Sequence, residues 1–542
     1  MPTHATIIKK RTAAHRHGFL ILKAAVFICA ALCSTVFAQQ KSAPSRKLPS
    51  AEKVVDNYLK AIGGKKRAVA IRDATYEFTT QVGNQSYGAA KLKLLAPASL
   101  RFEMNFANGE MISGANPRSA WVRGLDGKVR TLTGPEAAAA KLEAGLNAAH
   151  LVDFKKANVL ARVIWLNEAP GGPAYVVEFS ARSGGRLRYM FSPTTKLLVG
   201  IEDEARHTFT QYEDYRTEGG ILEPHVLRMN LAGTGELKLT LVRVTYNSGL
   251  SSNIFDPPRP DEAMDVAALL REVSRNQDEV EKRFQEYSFL RKETNREIDS
   301  KGLVKKETVK VFEVFPLPNR RPILKLVSEN GVPLSADRAV KEDKRVQEEF
   351  LKAEREKEKD AQRAAEQRAE RERQRAAKSQ RGEDDDPEIS MFFRNCEFIS
   401  PRRERFQDRE TIVFDFRAKP GFKPTTRQEN LISKLVGVVW IDPLDKQVIR
   451  LEARLAEGFK MAGGLLVSLR PGAALVWEQT RLKEGIWMPR FAQINLSVKV
   501  LLFGGGDINQ LVEWSDYKHF ASNVHDYKLD APRAGNEPVK KP

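Results

Sequence analysis

Cysteine is nearly missing: there are three in 542 residues, and two of them, Cys29 and Cys33, fall within the first forty. A disulfide scaffold and a four-cysteine zinc site are therefore excluded. Catalytic signatures are also missing. No G-x-S-x-G, H-E-x-x-H, phosphate-binding G-x-x-x-x-G-K or dinucleotide fingerprint occurs. The histidines after the first forty residues are His150, His207, His225, His519 and His525, and their spacing fits no metal site. His519 and His525 read as surface residues. Gly504-Gly505-Gly506-Asp507 reads as a hairpin turn. Glu213 and Glu478 read as exposed strand residues, each facing a base on the next strand. No catalytic, metal or cofactor residues are expected, and the chain is not read as an enzyme.

Long apolar runs are also absent, apart from a short one at the start. Lys9, Lys10, Arg11 and Arg16 precede the stretch Ala24–Leu32, and small residues around Val36 and Ala38 lead to Gln39-Gln40. That order describes a secretory signal peptide over 1–38, and the run falls short of the roughly 20 residues that span a bilayer. Ile28 and Leu32 precede Cys29 and Cys33, where lipidation needs a small residue. Removing five bases and no acids takes the net charge from +18 to +13. Cys396 then stands alone and reads as a buried small hydrophobe. The positive surplus in an exported chain suits anionic head groups and peripheral membrane contact rather than nucleic acid.

What is present is strand after strand. Ser50 caps an amphipathic helix with Val54, Val55, Tyr58, Leu59 and Ile62 on one face, stopped by Gly63-Gly64. Strand-like runs follow at Tyr76–Gln81, Lys91–Leu95, Leu100–Phe106 and Ala120–Arg123. A helical stretch then opens at Pro135 and runs to about Leu151, and six more strands reach Val244. Asp256-Pro257-Pro258-Arg259-Pro260 is a boundary. A helix follows from Val266 to Phe284, and then strands at Tyr287–Thr294 and Val304–Phe315. Residues 336–382 are almost all Ala, Glu, Lys, Arg and Gln, with acids and bases at helical spacing. This predicts a long charged helix, either solvated or a coiled-coil arm for a partner. Strands resume at Met391.

The chain also repeats itself. Glu213, Arg216, Gly220, Ile221 and Pro224 recur at the same spacing as Glu478, Arg481, Gly485, Ile486 and Pro489, and Pro193, Lys196 and Glu202 as Pro443, Lys446 and Glu452. Between Pro443 and Glu478 the second copy carries 15 extra residues, within 457–476. Gly463-Gly464, then Leu465, Leu466, Val467 and Leu469, make a glycine-flanked apolar segment there. It is either a pair of longer strands or a flap over a cavity or against acyl chains.

With these residues in view, the first half resembles the periplasmic outer-membrane lipoprotein-sorting superfamily. The resemblance rests on VVDNYLKAIGG (Val54–Gly64), APASLRFEM (Ala96–Met104), AWVRGLDGK (Ala120–Lys128), YMFSPTTKLL (Tyr189–Leu198), DYRTEGGILEPH (Asp214–His225) and NIFDPP (Asn253–Pro258). It covers about 50–258, and more weakly 266–533, interrupted by the charged helix 336–382. The resemblance implies an α+β fold: two tandem curved antiparallel sheets, unclosed barrels with helices over the concave face, and the long charged helix inserted in the second. It implies an apolar cavity that holds lipid or lipoprotein acyl chains in outer-membrane biogenesis or lipoprotein trafficking. Burial of each CH₂ supplies about 0.8 kcal/mol for such binding. Phe102, Met104 and Phe106 alternate on one strand face, with Trp121 on a neighbouring strand, and these are the expected ligand contacts together with Leu465, Leu466, Val467 and Leu469. The resemblance also implies an arginine that locks a closed state; Arg101 lies in the matching strand. The localisation implied is periplasmic, extending to outer-membrane association. The competing expectation is an envelope sensor or interaction module of the same fold, reaching a protein partner through the charged helix.

Overall fold

The computed structural model describes residues 48–519 apart from 170–171, 182–183, 232–234, 260–264, 300–303, 318–320, 367–388, 462–466 and 501–503. The expected signal peptide over 1–38, Leu465, Leu466 and His525 lie outside the described residues. From Ser50 onward the chain forms one compact unit, built on two large antiparallel sheets with few helices.

The first sheet is a meander folded back on itself. Its first strand, Asp73–Val82, pairs antiparallel with its last, Gly235–Tyr246. From this central pair the strands run outward in chain order on one side to Val129–Thr131, and in reverse order on the other to Val159–Ala169. Those two edge strands do not pair, so the sheet stays open. The strands Gly109–Ala115, Val129–Thr131 and Val159–Ala169 were not apparent from the sequence. Gly109, Gly114 and polar side chains break up the alternation that marks a strand.

Two longer helices pack into the core of this sheet. Ser50 Oγ accepts the Lys53 N–H (3.3 Å) and starts the helix Ala51–Ala61, which buries Val54, Val55 and Leu59. The helix Gly134–Ala148 has Pro135 at its first turn, where the missing N–H costs nothing, and buries Ala137, Ala140, Leu142 and Leu146. Both helices share a single apolar core with strand residues from across the sheet, including Phe78, Met104, Phe179 and Leu239.

The second sheet follows the same path. Its first strand, Tyr287–Ile298, pairs antiparallel with its last, Gly504–His519. The edges lie at Val332–Pro333 and Cys396–Phe406. Gly504, Gly505 and Gly506 pair with Val500, Lys499 and Val498, so the glycine cluster is strand rather than the expected turn. The core joins Phe414, Phe416 and Ile441 to Leu269 and Val273 of the helix Val266–Phe284 and Phe392 of the short helix Ile389–Asn395. Cys396 is buried in this cluster, and burial pushes its thiol up to about 12, out of reach of ordinary thiolate chemistry. The helix Ala336–Glu366 packs Val346 and Phe350 against Phe315 and Ile323.

Corresponding repeat positions adopt corresponding conformations. Gly220 and Gly485 both turn with φ near +84° and +83°, a region where a side chain is strained. Lys196 and Lys446 are both left-handed, and each caps the carbonyl three residues back, of Pro193 and Pro443. The extra residues of the second half include two short strands, Phe459–Met461 and Val467–Leu469. They pair with each other, and the latter also pairs with Val498–Val500, beside the main path of the sheet.

Candidate functional site

Cross-strand register decides which expected contacts meet. On the strand Ser99–Phe106, Phe102, Met104 and Phe106 point towards the core shared with the helices. Met104 is 2% exposed and belongs to the core. Phe102 and Phe106 are partly buried and pack against that core, beside Leu92 and Met111. Phe106 meets Tyr87 edge-on at 5.3 Å, and Tyr87 is largely exposed. The result is an apolar, aromatic ledge continuous with the packed interior.

Trp121 does not join it. Gly114 pairs with both Arg101 and Trp121, so all three share the opposite face. Trp121 is fully buried there, with its Nε1 donating to the Phe255 carbonyl (3.2 Å). Arg101 also faces away from the core, donating to Glu103 (2.5 Å) and to the Ile254 carbonyl (2.9 Å). Leu469 is partly buried against Leu455 and Phe459, far along the chain from the first-sheet ledge and in a separate cluster.

The interior of the first half also holds a polar group that sequence reading passed over. Glu223 is buried, and its Oε1 accepts from Tyr76 Oη (2.9 Å) and Tyr246 Oη (2.5 Å). Burial raises its carboxyl above the ordinary 4.5, although the two phenols favour the charged form. A carboxyl raised in the fold stabilises fully below the unfolded value, and that contribution is lost as pH climbs through the folded value. Glu223→Gln is therefore expected to flatten this limb. In urea melts between about pH 5 and pH 8, the wild type should lose stability relative to the variant. A parallel pair of curves would show that Glu223 is ionised throughout.

A second buried polar group sits where the two sheets meet. The edge strand Val129–Thr131 presents the Thr131 N–H and hydroxyl to Glu404 of the second sheet (2.8 and 2.5 Å). Arg402, 1% exposed, donates to Glu404 (2.8 Å) and Thr131 (2.8 Å) and pairs with Asp415 (3.1 Å). Ser119 Oγ donates to the other Asp415 oxygen (2.7 Å). Around this knot, Arg454 donates to the Pro117 carbonyl (2.6 Å) and Lys141 to that of Arg118 (2.9 Å). The carboxylate of Glu404 thus satisfies an edge-strand N–H that would otherwise template a foreign strand. Sequence reading missed these residues. The available signal was Asp415 within the apolar run TIVFDF, and Arg402 and Glu404 two apart on one strand face.

Glu213 pairs with Arg228 on the next strand (3.2 Å), half-buried. Glu478 departs from its expected exposure: it is buried between Arg450 and Arg490. Among the described residues no cluster of His, Cys, Asp or Glu could hold a metal. None of the described helices is long and apolar enough to cross a membrane.

No family model and no curated protein matches the chain. Solved structures do. A LolA superfamily protein from Nitrosomonas europaea shares 11% identity over 39% of this chain and 99% of its own, with a TM-score of 0.27. An outer membrane lipoprotein-sorting protein domain from Vibrio parahaemolyticus shares 12% over 38% and 96%, with a TM-score of 0.26. A DUF1329 family protein from Desulfovibrio piger shares 13% over 38% and 96%, also at 0.26. What this chain binds has to be read from its own side chains.

Proposed function

We propose that this is an exported, periplasmic binding protein for lipid or lipoprotein acyl chains, without catalytic activity. The observation that supports it best is the ledge of Phe102, Phe106, Met111 and Tyr87, apolar surface left open beside a filled core. An acyl chain laid on it loses water contact at about 0.8 kcal/mol per CH₂. The Ala-rich buried face of the helix Gly134–Ala148 holds the sheet with small side chains. Widening the gap there forfeits fewer contacts than lifting a leucine-rich helix would. The two halves are read as copies of one ancestral domain, 50–258 and 266–533, given their shared strand path and matching turns.

Native mass spectrometry of protein purified from the envelope is the test. It is expected to show co-purified lipid, and the delipidated chain should take up a fluorescent fatty acid. Phe102→Glu should weaken that uptake at least tenfold. Delipidated protein that never binds an acyl probe would remove the carrier reading.

The helix Ala336–Glu366 favours a second reading, an interaction module. It is held by Val346 and Phe350, and beyond them Leu351, Lys352, Arg355 and Glu356 are exposed. A pull-down that depends on residues 336–382, from protein free of lipid, would support it.

A further inference from the structure

The segment after the first sheet folds onto the face opposite the ledge. The short 3₁₀ turn Ser252–Phe255 is clamped there by Asn116 Nδ2 (3.1 Å) and Trp121 Nε1 (3.2 Å), both donating to the Phe255 carbonyl. Between this segment, the first sheet and Ser400 of the second sheet lies a cavity of about 460 Å³. Three arginines line it, Arg101, Arg123 and Arg259. One carboxyl, Asp256, lines it too. That carboxyl is already taken by Arg118 and Asn116, and burial raises it above its ordinary range.

One of the lining arginines carries a donor without an acceptor. Arg123 pairs with Glu110 through one terminal nitrogen, but its buried Nε has no hydrogen-bond partner. Arg259 is exposed and makes no ion pair among the described residues. Buried donors without acceptors are costly, and guanidinium forks match oxyanions with two parallel bonds.

We propose that this cavity binds a phosphate-bearing polar group, held by Arg101, Arg123 and Arg259 at the meeting of the two sheets. The volume exceeds that of a bare phosphate and leaves room for a small polar group attached to it, as in a glycerol phosphate. The same chemistry occurs in a free phosphate ester and in a phospholipid head group. The site lies across the sheet from Phe102 and Met104, so it stands independently of the acyl-binding reading.

Isothermal titration of the full chain with inorganic phosphate, glycerol 3-phosphate and dihexanoyl phosphatidylglycerol tests it. The wild type is expected to bind glycerol 3-phosphate. Arg123→Gln should weaken that binding at least tenfold and Arg259→Gln at least threefold, with unchanged thermal unfolding for the latter because its side chain supports nothing else. Tightest binding by the short-chain lipid assigns the head group as the source; equal or tighter binding by the soluble phosphates assigns a free ester or ion. No heat with any of the three probes, or binding that both variants retain in full, overturns the proposal.

Discussion

Replacing Arg402 with alanine is expected to lower the unfolding free energy by about 3–5 kcal/mol, the cost of breaking a buried ion pair from one side. Arg402 stands between two buried carboxylates, Glu404 and Asp415. Without the guanidinium these two acids remain out of water with only Thr131, Ser119 and the more distant Arg118 (3.5 Å) to answer them. Urea unfolding at about pH 7.5 measures the loss. Arg402→Met fills the same space without charge and should cost no less, because the partners stay charged. Joint replacement of Arg402, Glu404 and Asp415 by apolar residues should recover much of the loss. A shift under about 1 kcal/mol for Arg402→Ala would mean that water reaches the knot and screens it.

This knot also shows where the sequence stops being legible. Many strands and the principal helices could be read from period and turn chemistry, while two tandem sheets were what the family resemblance implied. The helix Val266–Phe284 carries a clean apolar stripe, and Ser50 and Gly63 bracket the first helix. These signals are local. Docking of the sheets is not local: Ser119 and Asp415 lie 296 positions apart, and neither is unusual in its own neighbourhood. The same limit governed the ligand candidates. Alternation correctly grouped Phe102, Met104 and Phe106, because one strand's period fixes its own faces. Trp121 needed the register between strands, which pairs Gly114 with both Arg101 and Trp121 and cannot be read from either strand alone. The glycine run 504–506 misled for a related reason. Glycine permits a turn, but here the backbone continues as strand and pairs with Val498–Val500.

Trp121→Ala should produce a loss of similar size, about 3–5 kcal/mol. The side chain is fully buried, and a Cβ built on Gly114 would come within 2.5 Å of its ring, so the glycine opens the slot that the indole fills. The Arg101 guanidinium lies over the ring, 5.7 Å from the centroid, a cation–π contact of about 0.5–2 kcal/mol. Removing the indole leaves the Phe255 carbonyl with Asn116 as donor, so the penalty is the cavity and the lost contacts rather than an orphaned acceptor. Trp121→Phe separates the two: it keeps most of the bulk and loses the N–H, and should cost nearer 1 kcal/mol for the hydrogen bond plus a small packing term. The consequence reaches beyond stability. The ring fixes the 252–258 segment whose Asn253, Ile254 and Asp256 line the arginine cavity. Hydrogen exchange should therefore speed up at residues 253–256 in Trp121→Ala while the strand Leu198–Asp203, on the far side of the sheet, keeps its protection. Uniform loss of protection across the first sheet would show instead that Trp121 supports the whole sheet and is not a local clamp.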